Sequence, residues 1–489
     1  MKFLLLHALF SHSLIHEKMK NTCIILVSVF VPSFSSATWA AKATALFHDG
    51  AYDDIFSLLI NLLHPVSDIK LIVLEPSGEA SCEEGLFSTL GILKKVNQLN
   101  IPVFCGPEKS FSEMSHTRRV TFPEKWRKET NDLNAFIWGF DIPKTNDSIG
   151  YRELKDINEL NDKIKHKINL DAKLKNKFNI ALKQFNNNES INEIAKLINS
   201  ETEGINILET GPAVSLAHLA SKHPEVFNNF KGVTLMAGSF KQKNEQPGLW
   251  GKTGNIQTIF TAPEILNEDA EWNVYIAPKD FDMLFTMLKT KNIPLTIIPL
   301  NATKYTPVTE HYQESLKLAT QYMRKNESTE QYIWASSLVV KMLERYEFQI
   351  KNKFLDFWDC LAAAIFINNL ENNKSNPIYA KTVTANIAVN INKEDHPYEF
   401  YEKYKKMNLN AFYKLKQNDF IETLNEHQSW AKKETNEVDA YDSYGVTYMW
   451  ENEDDIPDHK ITSSPRATIY LAVSSEHFAK MFLSVLTNV

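Results

Sequence analysis

The sequence predicts an α/β fold with an open, mostly parallel central sheet flanked by helices and an active site at the carboxyl ends of its strands. Short apolar runs alternate with helix-length stretches along most of the chain. Those runs are continuous in Val, Ile and Leu, as suits strands covered on both faces. Acids crowd directly after the first run, where open α/β sheets place ligands.

The first strand is Ala43-Thr44-Ala45-Leu46-Phe47, followed by a turn containing Gly50 and the apolar helical segment Ile55–Leu63. Further strands are expected at 69–75, 101–105, 205–209, 233–237, 294–300 and 380–391. Helices are expected at 85–98, 212–222, 279–290, 308–323, 328–346 and 360–370. The arrangement is Rossmann-like. Two tracts rich in Asn and Lys, about 145–200 and 395–440, interrupt the alternation and read as insertions into a single domain spanning 42–489.

Residues 1–41 read as a secretory signal peptide. The apolar run Cys23–Val31 follows Met19-Lys20, which makes Met19 the expected start, and small residues at Ala37 to Ala41 suit cleavage. Both N-terminal apolar runs are short for a bilayer span. The expected location is therefore exported, secreted or periplasmic, with no membrane attachment after cleavage. Net charge is −7 over 489 residues, with Lys and Arg scattered, so no nucleic-acid footprint is present. Of four cysteines, Cys82, Cys105 and Cys360 outlast the signal, an odd number without CxxC spacing. Neither a disulfide framework nor a zinc site is expected.

Asp49, Asp53 and Asp54 lie within six residues of one another. Carboxylates packed this closely repel unless a cation sits among them. Asp53 and Asp54 equally suit helix capping, where the positive dipole end favours acids. Three more segments bear on the choice. Asn206–Pro212 is a strand ending in a Gly-Pro turn, which exposes backbone carbonyls. Phe357-Trp358-Asp359 opens a small-residue helix. In Ala270-Glu271-Trp272-Asn273, read as strand-like, Glu271 and Asn273 share one face with Trp272 on the other.

Taken in order, these segments resemble the nucleoside hydrolase family, which cleaves the N-glycosidic bond of ribonucleosides. His48-Asp49-Gly50-Ala51-Tyr52-Asp53-Asp54, Ala270-Glu271-Trp272-Asn273, Leu300-Asn301-Ala302-Thr303-Lys304 and Trp358-Asp359 are most similar to the purine-specific, inosine–adenosine–guanosine-preferring branch. The resemblance implies a Ca²⁺ site formed by Asp49, Asp54, the Thr210 carbonyl and Asp359. It implies that Asp53 is the base activating a metal-held water, and that Glu271, Asn273 and Asn255 grip the ribose. Trp358 and Trp126 would stack the purine base, and Glu79 lies about where the branch has an acid at the purine edge. The implied substrate is a small-molecule purine nucleoside and the implied assembly a homo-oligomer, a dimer first.

The resemblance has gaps. Phe47 replaces the family's first acid, Ala51 an Asn, Ala237 a Gly, Ser215 an Asn and Ala277 an Asp. A catalytically impaired, secreted nucleoside- or ribose-binding homologue is the alternative reading. A Mg²⁺ phosphoryl-transfer site lacks its Gly-rich loop and Lys. Sequons stand at Asn146, Asn188, Asn301, Asn326 and Asn373.

Overall fold

The computed structural model describes residues 40–112 except 79 and 81, then 172–240, 271–325, 329–345, 350–351, 355–372, 378–391, 445, 447–450 and 465–488. Residues 1–39 of the expected signal peptide, the 395–440 tract, Glu79, Trp126 and Asn255 lie outside them. Among the described residues no helix is long and apolar enough to cross a membrane.

The strands are β1 (Lys42–His48), β2 (Ser67–Leu74), β3 (Val103–Cys105), β4 (Ile205–Glu209), β5 (Phe230–Met236), β6 (Leu295–Ile298), β7 (Ala380–Val389), β8 (Thr447–Trp450) and β9 (Arg466–Val473). They form one sheet in the order β3-β2-β1-β4-β5-β6-β9-β7-β8. Pairing is parallel from β3 through β9, while β7 runs antiparallel to both β9 and β8. The chain winds outward from β1 through β2 to β3, then returns to β4 on the other side of β1. That reversal opens a crevice beyond the carboxyl ends of β1 and β4, the usual ligand position in such sheets. Thus the predicted α/β architecture is the observed one.

One face of the sheet carries α1 (Tyr52–Leu63) and α2 (Cys82–Lys95), with further helices described below. The part of the 145–200 tract that the structure describes is helical. Residues 172–200 form α3 (Ala172–Asn186) and α4 (Ser190–Ser200), which contribute Leu174, Phe178, Ala181, Ile191, Ile194, Ala195 and Ile198 to the interior. Their spacing of three and four is the apolar stripe of a surface helix, hidden in the sequence by flanking Lys and Asn. The remaining helices are α5 (Val214–Lys222), α6 (Trp272–Ile276), α7 (Pro278–Lys291), α8 (Leu300–Thr303), α9 (Glu310–Lys325), α10 (Glu330–Arg345), α11 (Trp358–Leu370) and α12 (Ser475–Thr487). Helices α4, α5 and α7 pack on the second face, around Phe227, Phe281 and Phe285.

Two helices, α1 and α11, are buried along nearly their whole length and lie against each other. A helix apolar all round belongs in a core, and Ala362-Ala363-Ala364 permits close approach. Because their N-termini meet beyond β1, the first turns of both helices deliver acids to one place.

Cys82 and Cys105 form a disulfide, with Cα atoms 5.6 Å apart, and Cys360 is free and buried. This overturns the expectation that the cysteines stay unpaired. Spacing in sequence gave no signal, because the bond joins the start of α2 to the end of β3 across the sheet edge. Closing a loop of 23 residues restricts the unfolded chain by about 3 kcal/mol. Denatured protein beginning at residue 42 should therefore show one reactive thiol before reduction and three after it. Three thiols without reductant would remove the disulfide.

Candidate active site

The site begins with the turn after β1. Gly50, at φ +86°, takes the left-handed conformation that lets the chain reverse after Asp49; a Cβ there would lie 2.8 Å from that of Ala80. The Asp49 carboxylate lies over Gly78, where an added Cβ would clash with its Oδ2. Ala80 N donates to the Asp49 carbonyl at 2.8 Å, tying this turn to the one after β2.

Helix α1 starts at Ala51, whose side chain has no acceptor. Asp54 supplies one: its Oδ2 accepts from Ala51 N at 2.9 Å and from Asp49 N at 3.2 Å. Its Oδ1 accepts from the Thr210 hydroxyl at 2.5 Å. The capping reading of Asp54 is therefore realised, and Asp54 also bridges β1's turn to β4's. Asp53 points toward α11, accepting from Asp359 N at 3.3 Å. Tyr52 donates through its hydroxyl to the Asp356 carbonyl at 2.8 Å and meets Trp358 edge to face, with ring centroids 6.2 Å apart.

Glu271 and Asn273 are not on a strand. Glu271 is the N-cap of α6, accepting from Asn273 N, Val274 N and Gly238 N at 2.7, 3.1 and 3.1 Å. An acid at an N-cap satisfies the open N–H groups of a helix, and this local demand outweighs the alternation in the sequence. Asn273 donates through Nδ2 to the Thr210 carbonyl at 3.0 Å and to the Met236 carbonyl at 3.3 Å. Asn301 holds the segment after β5 through both amide atoms, accepting from Phe240 N at 2.9 Å and donating to Phe240 O at 2.7 Å. Fully buried in this way, its sequon cannot receive a glycan in the folded chain.

These residues open onto a solvent-open cleft of about 430 Å³, a volume that includes the space at its mouth. Asp49, Asp53, Thr210, Glu271, Asn273, Trp358 and Asp359 line it, together with Trp272. Asp54 stands behind the lining. The structure thus gathers the described candidates in one place. Trp272, expected on the opposite face from its neighbours, lines the cleft because the segment is helical.

Burial dominates the electrostatics. Asp53 is pushed up to about 7, by burial first and by the charge of Asp54 second. Burial, then Asp53, Asp54 and Asp49, hold Asp359 well above the usual carboxylate range. Glu271 rises to about 7 through burial, against the pull of three backbone N–H groups. Behind the cleft, burial lifts Glu75 to about 8, and burial followed by the charge of Glu75 lifts Glu209 well above its ordinary value.

In kind, these donors fit a hard cation: carboxylates and a carbonyl, with neither thiolate nor imidazole among those lining the cleft. As placed, no group of three or more His, Cys, Asp or Glu side chains among the described residues has metal-holding geometry. Asp54 faces the start of α1 and the Thr210 hydroxyl; its Oδ2 accepts from two backbone N–H groups, whereas Oδ1 accepts from Thr210 and keeps a second lone pair for a cation.

The inosine-uridine preferring nucleoside hydrolase family model matches residues 45–450. The chain belongs to this family. It is 22% identical over 269 residues to the pyrimidine-specific ribonucleoside hydrolase RihA of Photobacterium profundum, a match covering 55% of this chain and 64% of that protein. The chain spans less than two thirds of the length of the curated relatives it matches. Its fold is shared with an inosine-uridine preferring nucleoside hydrolase from Bacillus anthracis, at TM-score 0.50 and 15% identity, covering 92% of this chain and 100% of that one. It is likewise shared with a purine-preferring ribonucleoside hydrolase from Gardnerella vaginalis, at TM-score 0.52 and 15% identity, covering 91% and 98%.

In this nucleoside hydrolase family member, sequence reasoning passed over Glu75 and Glu209. Each is an acid ending an otherwise apolar strand run, which was the available signal. Burial raises Glu75 from 4.5 to about 8, so the fold favours its protonated form. Its contribution to stability is full below pH 4.5 and is lost as pH rises through 8, at up to about 1 kcal/mol per unit. Urea unfolding between pH 5 and 8 should show this downward slope, and Glu75→Gln should reduce it. An equal slope in both proteins would contradict the assignment.

Proposed function

We propose that this chain is an exported, Ca²⁺-dependent hydrolase that cleaves the N-glycosidic bond of purine ribonucleosides to give ribose and free base. The observation that carries the reading is the meeting of seven sequence-derived candidates in one cleft at the strand-order reversal. Family membership supports glycosidase chemistry on nucleosides.

In this reading Asp49, Asp54, the Thr210 carbonyl and Asp359 hold Ca²⁺. Bound there, the ion supplies a charged anchor for the ribose diol and favours ionisation of a water beside it. Asp53 takes the proton from the attacking water as general base. Glu271 and Asn273, with Asn255 outside the described residues, hold the ribose hydroxyls, and the cleft's carboxylates favour the positive charge that develops on the sugar. Trp358 packs against the base, and Trp126 is assigned the second stacking position. An indole cannot serve as general acid for the departing base. The leaving purine is instead protonated from solvent.

Trp358-Asp359 and Ala270-Glu271-Trp272-Asn273 support the purine preference. The pyrimidine-specific relative makes uridine and cytidine necessary comparisons. Export draws support from the Cys82–Cys105 disulfide, since such bonds persist in oxidising compartments. The engagement of Asp54 with α1 and with Thr210 Oγ1 favours a second reading, a homologue that binds nucleosides with impaired turnover.

Reducing-sugar release from inosine, adenosine, guanosine, uridine and cytidine, with and without chelator, separates the readings. Purine turnover that is abolished by chelator is expected. Asp53→Asn should lower kcat by about 10²–10⁴-fold, while nucleosides still raise the melting temperature. Thermal stabilisation by nucleosides with no turnover of any of them establishes the binding homologue.

A further inference from the structure

The turn that carries the Thr210 carbonyl is held from below by two buried glutamates. Glu209, the last residue of β4, accepts from Gly211 N through Oε1 at 2.8 Å. Glu75, directly after β2, accepts from Ser215 N in the first turn of α5 through Oε1 at 2.9 Å and Oε2 at 3.2 Å. Both glutamates are fully buried. Between their contacts lies Ala213, in the left-handed conformation at φ 56° and without a side-chain cap bond. A non-glycine residue there is strained and persists only where its surroundings fix it.

The sheet register explains why the two acids meet this turn. Val73, Phe47 and Glu209 are paired across β2, β1 and β4, so they share one face. Glu75, two residues beyond Val73, continues on that face. The central position of the row is Phe47, the apolar replacement for the family's first acid. The carboxyl groups under the turn therefore come from the two strands beside β1. Gly211 packs between them and the site: a Cβ there would lie 3.2 Å from Glu209 Oε1, 3.2 Å from Glu75 Cβ and 3.3 Å from Asp49 Cβ.

We propose that Glu75 and Glu209 are positioning residues, clamping the Thr210–Ser215 turn so that the Thr210 carbonyl faces the cleft for metal binding. This rests on the proposed assignment of Thr210 O as a Ca²⁺ ligand. Reach decides the clamp's effect and charge does not. Gln keeps an acceptor oxygen at the same distance, whereas Asp keeps the acid and withdraws it by one methylene.

Ca²⁺ affinity, read by calorimetry and by the Ca²⁺-induced rise in melting temperature, tests the clamp in the full chain. Glu209→Asp and Glu75→Asp should weaken Ca²⁺ binding by about 10–100-fold, the usual effect of losing a ligand's support, while still melting cooperatively. Glu209→Gln and Glu75→Gln should stay within about threefold of the parent. Impaired Gln variants with normal Asp variants would assign an electrostatic role and overturn the clamp, as would unchanged affinity in all four. Asp49→Asn is the control for the assignment beneath it. If the parent protein and Asp49→Asn both ignore Ca²⁺, the metal reading itself fails, and the clamp falls with it.

Discussion

Burial of like-charged groups is the constraint around which this molecule is arranged. Asp49, Asp53, Asp54 and Asp359 lie in or behind one cleft, and Glu75 and Glu209 lie below it, all nearly or wholly removed from solvent. A lone buried carboxylate costs several kcal/mol, and close neighbours of the same sign add to that cost. The fold meets part of the cost with backbone N–H groups from Asp49, Ala51, Gly211, Ser215 and Asp359. Raised proton affinity at Asp53, Asp359, Glu75 and Glu209 meets another part. A fold organised this way gives up stability to keep oxygen donors dry and crowded, which makes chemical sense at a reactive centre.

Placement of the cluster follows from topology. The strand order reverses at β1, so the turns after β1 and β4 face one crevice. Buried helices α1 and α11 point their N-termini at it, and their dipoles partly offset the negative charge they deliver. The support then spreads outward. Tyr52 ties α1 to the segment ahead of α11, Asn273 ties α6 to Thr210, and Asn301 ties α8 to the segment after β5.

Much of this was legible in the sequence because local patterns and global fold agree. Strands β1 to β7 stand out as apolar runs, and the acids stand out because they follow such runs directly. What escaped has identifiable physical causes. Helices α3 and α4 carry correct apolar stripes inside Lys- and Asn-rich stretches, so composition masked periodicity. β9 is an ordinary strand whose place between β6 and β7 depends on partners far away in sequence. Glu271 alternates with Asn273 as a strand residue would, yet the open N–H groups of α6 claim its carboxylate. The Cys82–Cys105 bond depends on which strand edge meets which helix start, and that is decided only in three dimensions.

The position of β9 has a consequence for how the protein is made. β9 is translated after both β6 and β7, yet it alone joins them in the sheet. A nascent chain that has emerged only as far as residue 465 carries β6 with one open edge and β7 without its antiparallel partner β9. Unpaired strand edges of this kind invite association with other chains. Synthesis therefore passes through an interval in which β7 and β8 wait for the strand that joins them to the other six, and chaperone engagement during elongation would matter most in that interval.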